Sequence, residues 1–161
     1  MASEDAPFPS GNPDEKELLL QWLGYLRGAV IRNLEGLDDR QARWQPEGKL
    51  ISLIGIVSHL TGVEWRWIDG GFLGAVVDRN DDEFTPGPEL TVEAAIRRYQ
   101  QRGVATDDVV RSLLLTQRSP GDSWAEGKDL RFVLVHLINE TARHAGHADS
   151  TRELPDGTTG E

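Results

Sequence analysis

The residues best suited to chemistry gather in one stretch, Asp129 to Leu154, DLRFVLVHLINETARHAGHADSTREL. Three of the chain's four histidines lie there, His136, His144 and His147, with Glu140 among them. A helix turns about 100° per residue, so these four side chains share an arc of about 80° on one face. Phe132, Val133, Leu137 and Ala148 flank that arc, which directs it towards an apolar interior. An ionised carboxylate buried there is costly unless it is paired or meets a cation. Imidazoles and a carboxylate on one stripe are a donor set that suits zinc, nickel or ferrous iron. Two plainer readings stand beside it: histidines near a helix C-terminus interact favourably with the helix dipole, and a solvated polar face has the same pattern.

The fourth histidine, His59, sits in another apolar segment among Leu53, Ile56, Leu60 and Val63. A lone histidine in such a setting is commonly a satisfied core residue. It is also the only histidine outside the late helix that could complete a ligand set with Glu140 and His144.

These residues need long helices to position them. Asn12-Pro13-Asp14-Glu15 reads as a helix start, with a capping side chain, proline in the first turn and acids after it. The first helix is expected to run to Gly36 on the stripe Leu18, Leu19, Trp22, Leu23, Leu26, Val30 and Leu34. A connection comes next, with Asp38 capping a short turn through Trp44 and Pro46-Glu47-Gly48 breaking the chain. A second helix is expected over 51–68, stopped by Asp69-Gly70-Gly71. The long connector 72–90 carries an acidic run, Asp78 to Glu83, and lets the next helix run parallel to the second. The third helix starts at the Thr91 cap and runs to Leu115, weakened at Gly103. Asp129 caps the fourth, and Pro155 with Gly157 ends it. The pattern predicts an all-α fold, a four-helix bundle with a long crossover between helices 2 and 3. It spans 12–154, with tails at 1–11 and 155–161.

Composition narrows the function. A net charge of −10 argues against a nucleic-acid or anionic-membrane surface. No apolar run reaches a membrane span, and the N-terminus lacks a signal-peptide pattern. The expected location is cytoplasmic. There is no cysteine, so any thiol chemistry needs a thiol brought in as cosubstrate. The apolar second helix and five tryptophans exceed what one small bundle must bury, so a homodimer is an expectation.

The segments SHLTGVEWRW, NETARHAGHAD and GLDDRQARWQPEGKLISLIGIVSHL resemble the DinB-like metalloenzymes. The closest likeness is to the actinobacterial branch related to mycothiol-dependent enzymes, and it covers nearly the whole chain. The resemblance implies a four-helix bundle holding one divalent metal with three protein ligands and open positions. Many members use three histidines. Here the position four before His144 is Glu140, which matches the histidine, glutamate, histidine pattern of mycothiol-dependent maleylpyruvate isomerase. The ligands implied are His59, Glu140 and His144. His147 is left as a fourth ligand, a group behind the ligands, or a proton carrier, and His136 as a supporting or core residue.

The activity implied is S-transfer from a small thiol, mycothiol first, to an electrophilic small molecule. The thiolate is the nucleophile, and a divalent metal (zinc, nickel or iron) favours that form. His147 or His136 would take the proton. Trp65 and Trp67 could wall the substrate pocket or simply pack, and Arg143 could meet an anionic substrate group or form a surface ion pair. Two other functions compete: a metal-dependent isomerase or hydrolase of a small substrate, and a helical binding module without catalysis. The Glu-x-x-x-His spacing is not that of the H-E-x-x-H metalloproteases.

Overall fold

A computed structural model describes residues 6–45 and 50–156, except the side chains of 154–156. The expected break at Pro46-Glu47-Gly48 lies outside those residues, as does Gly157. The fold is all-α: α1 (Glu15–Arg32), α2 (Asp39–Ala42), α3 (Leu53–Glu64), α4 (Gly70–Phe72), α5 (Val92–Ser112) and α6 (Leu130–Asp156). No helix among the described residues is long and apolar enough to cross a membrane. Extended pairing among them is limited to one isolated bridge, Arg118 with Asp129.

Side-chain caps set most helix starts. Asp38 accepts from the Gln41 amide while the Gln41 side chain accepts from the Asp38 amide, a reciprocal capping box. Thr91 accepts from Ala94, and Asp129 from Phe132. The start of α1 differs from the sequence expectation. Asp14 is its cap, accepting from Glu17, and Asn12 caps the turn before it by accepting from Asp14. Both ends of the Asn-Pro-Asp motif thus bond backbone, two residues apart. The end of α1 also differs: beyond Arg32 the backbone tightens into bonds between residues three apart up to Glu35, and Gly36 turns left-handed at φ 74°. Ahead of α1, the Phe8 ring sits 5.3 Å from both Trp22 and Tyr25.

The second long helix does not stop at Asp69-Gly70-Gly71. After α3 it widens into one π-helical turn, Trp65–Asp69, and continues as α4 to Phe72. The glycines mark close packing here, not an ending. A Cβ on Gly70 would come within 2.5 Å of Val77, and one on Gly71 within 3.1 Å of Ala125. The chain leaves the helix at Gly74, φ 72°. The π turn inserts an extra residue per turn and so rotates the side chains beyond it about the helix axis. It buries Arg66 and Ile68, and Asp69 is gripped by both guanidinium nitrogens of Arg102 at 3.0 Å.

The third long helix, α5, runs unbroken through Gly103. That glycine serves the approach of Arg27, whose guanidinium would stand 3.3 Å from a Cβ there. α6 extends to Asp156, past the expected end at Leu154.

α1 packs along α6, α3 against α5 and α6, and α5 against α1. The interior falls into two apolar groups. One holds Val30, Leu34, Ile54, Leu60 and Ala148, the other Leu20, Leu23, Ile68, Leu134 and Leu137. Between them lies a charged layer. Arg27, 2% exposed, gives two hydrogen bonds to Glu64 (2.9 and 2.7 Å) and one to Asp107 (3.0 Å). Burial alone would push the Arg27 guanidinium down, but Glu64 and Asp107 more than offset it and hold it above its ordinary value. Asp107 is pushed up by burial, against the pull of Arg27. The Tyr99 hydroxyl, fully buried nearby, has no hydrogen bond of good geometry.

Candidate metal centre

His59 lies on α3 and Glu140 and His144 lie one turn apart on α6, two helices in direct contact. One ligand atom from each of the three falls within 4.8 Å of the others. Glu140 Oε2 and His144 Nε2 are 3.4 Å apart. The His59 and His144 rings meet edge to face with centroids 4.7 Å apart. His59 is buried, and His144 and Glu140 are half-buried, so the cluster sits at the edge of the interior.

Two nitrogens and one carboxylate oxygen match a zinc, nickel or iron site. Ligands about 2.1 Å from a tetrahedral ion stand about 3.4 Å from each other, as Glu140 and His144 do. His144 Nε2 is thus the nitrogen that faces Glu140, and Nδ1 is buried without a hydrogen-bond partner. Burial, helped by the neighbouring charge of His59, depresses the His144 pKa to about 4. The ring is therefore neutral at physiological pH, the form that ligates. The donor set fits a divalent cation.

A group that the sequence alone did not single out stands behind His59. Residues Asp81–Phe84 form a 3₁₀ turn in the long connector, packed on α3. Glu83 Oε1 lies 2.7 Å from His59 Nδ1. The same carboxylate receives both terminal nitrogens of Arg66, at 2.7 and 2.9 Å. Burial alone would raise the Glu83 pKa, but the bonds from Arg66 and His59 hold it below its usual value. The Phe84 ring stacks on His59 at 4.3 Å. Only the acidic run marked this connector in sequence, and nothing in that run pointed to His59.

A comparison with family profiles matches residues 18–157 to mycothiol-S-transferase. The chain belongs to the mycothiol-S-transferase family. This is a DinB-like family, and the match runs from Leu18 within α1 through the end of α6, with every residue of the cluster inside it. No individually curated protein matches the chain.

The other residues singled out in sequence fall around this cluster. His147 is exposed, its ring 5.5 Å from that of His144, and it lies outside the three-residue cluster. His136 is half-buried with its ring 4.4 Å from Trp67. Burial lowers its pKa, while the charge of Glu140 works the other way. Trp67 is thus the tryptophan that meets the histidine stripe, and Trp65 is half-buried on the same π turn. Arg143 is exposed beside His144.

Proposed function

We propose that the chain is a divalent-metal-dependent S-transferase that joins mycothiol to an electrophilic small molecule, with His59, Glu140 and His144 as metal ligands. The observation that carries this reading is the convergence of those three side chains from two helices, in a chain of this family. When bound, zinc, nickel or iron supplies Lewis acidity that favours thiolate over thiol near neutral pH. The chain has no cysteine, so the nucleophilic sulfur belongs to the cosubstrate.

The protein's own groups do the rest. His144 is held neutral and ready to ligate. Glu140 brings one negative charge to the centre, so the site tolerates a second anion less well than an all-histidine site and favours a single thiolate. The sulfur attacks the electrophilic carbon, a new S–C bond forms and the leaving group departs with its electron pair. His147, exposed with its ring 5.5 Å from that of His144, accepts the thiol proton and passes it to solvent. The Trp67 ring against His136, one turn before Glu140, would wall the substrate on that side, and Trp65 lies two residues away on the same π turn. Arg143 offers a positive charge to an anionic group of the substrate.

The test is conjugation of mycothiol to a bimane or haloarene electrophile by zinc-, nickel- or iron-loaded protein, with mass spectrometry of the thioether. The proposal expects metal-dependent product and a fall in kcat for His147→Gln, of about 10²-fold for loss of a proton acceptor. Isomerisation or hydrolysis of the electrophile with no thioether would replace S-transfer by metal-dependent isomerase or hydrolase chemistry. No turnover with any metal would contradict catalysis altogether.

A further inference from the structure

The connector between α4 and α5 is built to deliver one carboxylate to the back of His59. Four positions on α3 and the π turn face it, Gly55, His59, Gly62 and Arg66, spaced at helical intervals along one side. The two glycines form the bed. A Cβ on Gly55 would collide with the backbone carbonyl of Phe84, and one on Gly62 would lie 2.6 Å from Glu83 Oε2. A larger residue at 55 pushes the 3₁₀ turn off the helix, and one at 62 displaces the Glu83 and Arg66 side chains. Between them stands His59, and beyond them Arg66, buried and lying over the Trp124 ring at 5.7 Å. Arg66 holds Glu83 with a two-pronged grip, so the carboxylate has little freedom left.

We infer that Glu83 is a positioning residue for the metal ligand His59: it fixes the ring as the Nδ1–H tautomer and leaves Nε2 to face Glu140 and His144. The inference rests on the metal reading above. A carboxylate that both terminal nitrogens of Arg66 donate to is an acceptor, so the nitrogen 2.7 Å from it donates. With the hydrogen on Nδ1, the nitrogen left to ligate is Nε2. Phe84 stacked on the ring face at 4.3 Å sets the ring plane. The outcome is a carboxylate–histidine support of the kind that orients metal-binding imidazoles and raises their basicity.

Two readouts test it. Zinc titration against a competing chelator should show affinity about 10–100-fold weaker in Glu83→Ala than in the parent. Glu83→Gln keeps an oxygen that accepts from Nδ1–H and should recover most of that loss. Asp81→Asn, exposed on the same turn, should bind like the parent. The second readout needs no metal. Long-range ¹H–¹⁵N correlation spectra of the apoprotein, with the ring neutral, should show His59 protonated at Nδ1 in the parent and in Glu83→Gln, and shifted towards Nε2–H in Glu83→Ala. A contact that only anchors the connector would lower stability in Glu83→Ala but leave zinc affinity and tautomer unchanged, and that result overturns the inference. Failure of the parent to bind zinc would overturn the metal reading instead, and the tautomer would still decide the role of Glu83.

Discussion

Replacing Glu64 with leucine removes two of the three hydrogen bonds that neutralise Arg27 in the middle of the molecule. Arg27 is 2% exposed and wedged against Gly103, so it has no route to water. Breaking a buried ion pair by deleting one partner costs about 3–5 kcal/mol, because the surviving charge stays desolvated. Asp107 still reaches the guanidinium at 3.0 Å, so the lower end of that range, about 3 kcal/mol, is expected for Glu64→Leu. Arg27→Met strands Glu64 with no cation and should cost about as much. In the double variant no buried charge is orphaned, since Asp107 keeps 24% of its side chain in solvent. Its stability should return to within about 1 kcal/mol of the parent. Urea unfolding monitored by circular dichroism measures this. With a slope of about 2 kcal/mol/M, each single variant should lose about 1.5 M in midpoint. The two losses should be strongly non-additive. If the double variant is as unstable as the sum of the singles, or if Glu64→Leu costs less than about 1 kcal/mol, the charged layer does not act as a coupled unit.

The same geometry sets three further outcomes. His144 titrates near 4 when folded and near 6.5 when unfolded. The unfolded chain therefore binds the extra proton between those values, and apoprotein stability should be full above pH 6.5 and fall towards pH 4. Allowing for partial exposure, the loss should be about 1–2 kcal/mol. His144→Gln should flatten this dependence, and an unchanged pH profile in that variant would contradict it. Tyr99→Phe removes a buried hydroxyl without a good partner and should be neutral or stabilising by up to about 1 kcal/mol in urea unfolding; a clear loss of stability would contradict this. Gly55→Ala gains helix propensity but pushes on the Phe84 carbonyl. It should weaken zinc binding at unchanged helical circular dichroism, and a more stable variant with parental affinity would rule out the packed turn.

Much of the scaffold was legible because it is local. The Asp38, Thr91 and Asp129 caps act within three residues of themselves, and the stripe on α6 comes from helical period alone. His59 was legible by type, as the one histidine outside that helix. Glu83 was not, since it lies 24 residues from His59 in a connector with no periodicity. Its role depends on Gly55 and Gly62, and nothing in their local sequence marks them as the bed of a distant turn. The π turn was hidden for a related reason: Asp69-Gly70-Gly71 is a stop signal, overruled here by tight packing against Val77 and Ala125 and by the Arg102 grip on Asp69. The Arg27–Glu64 pair did leave a trace. Arg27 falls in the apolar stripe between Leu23 and Val30, and Glu64 lies one turn after Leu60. A charge at such a position on each of two helices is a signal for a buried pair.

The metal site proposed is the triad His59, Glu140 and His144. Its most direct test is elemental analysis of protein purified without a metal-affinity tag, beside His59→Ala and His144→Ala. About one equivalent of zinc, nickel or iron in the parent, with almost none in either variant at parental helicity, is the expected result. Full occupancy in either variant would remove that residue from the ligand set, and a metal-free parent that also refuses divalent salts would contradict the account.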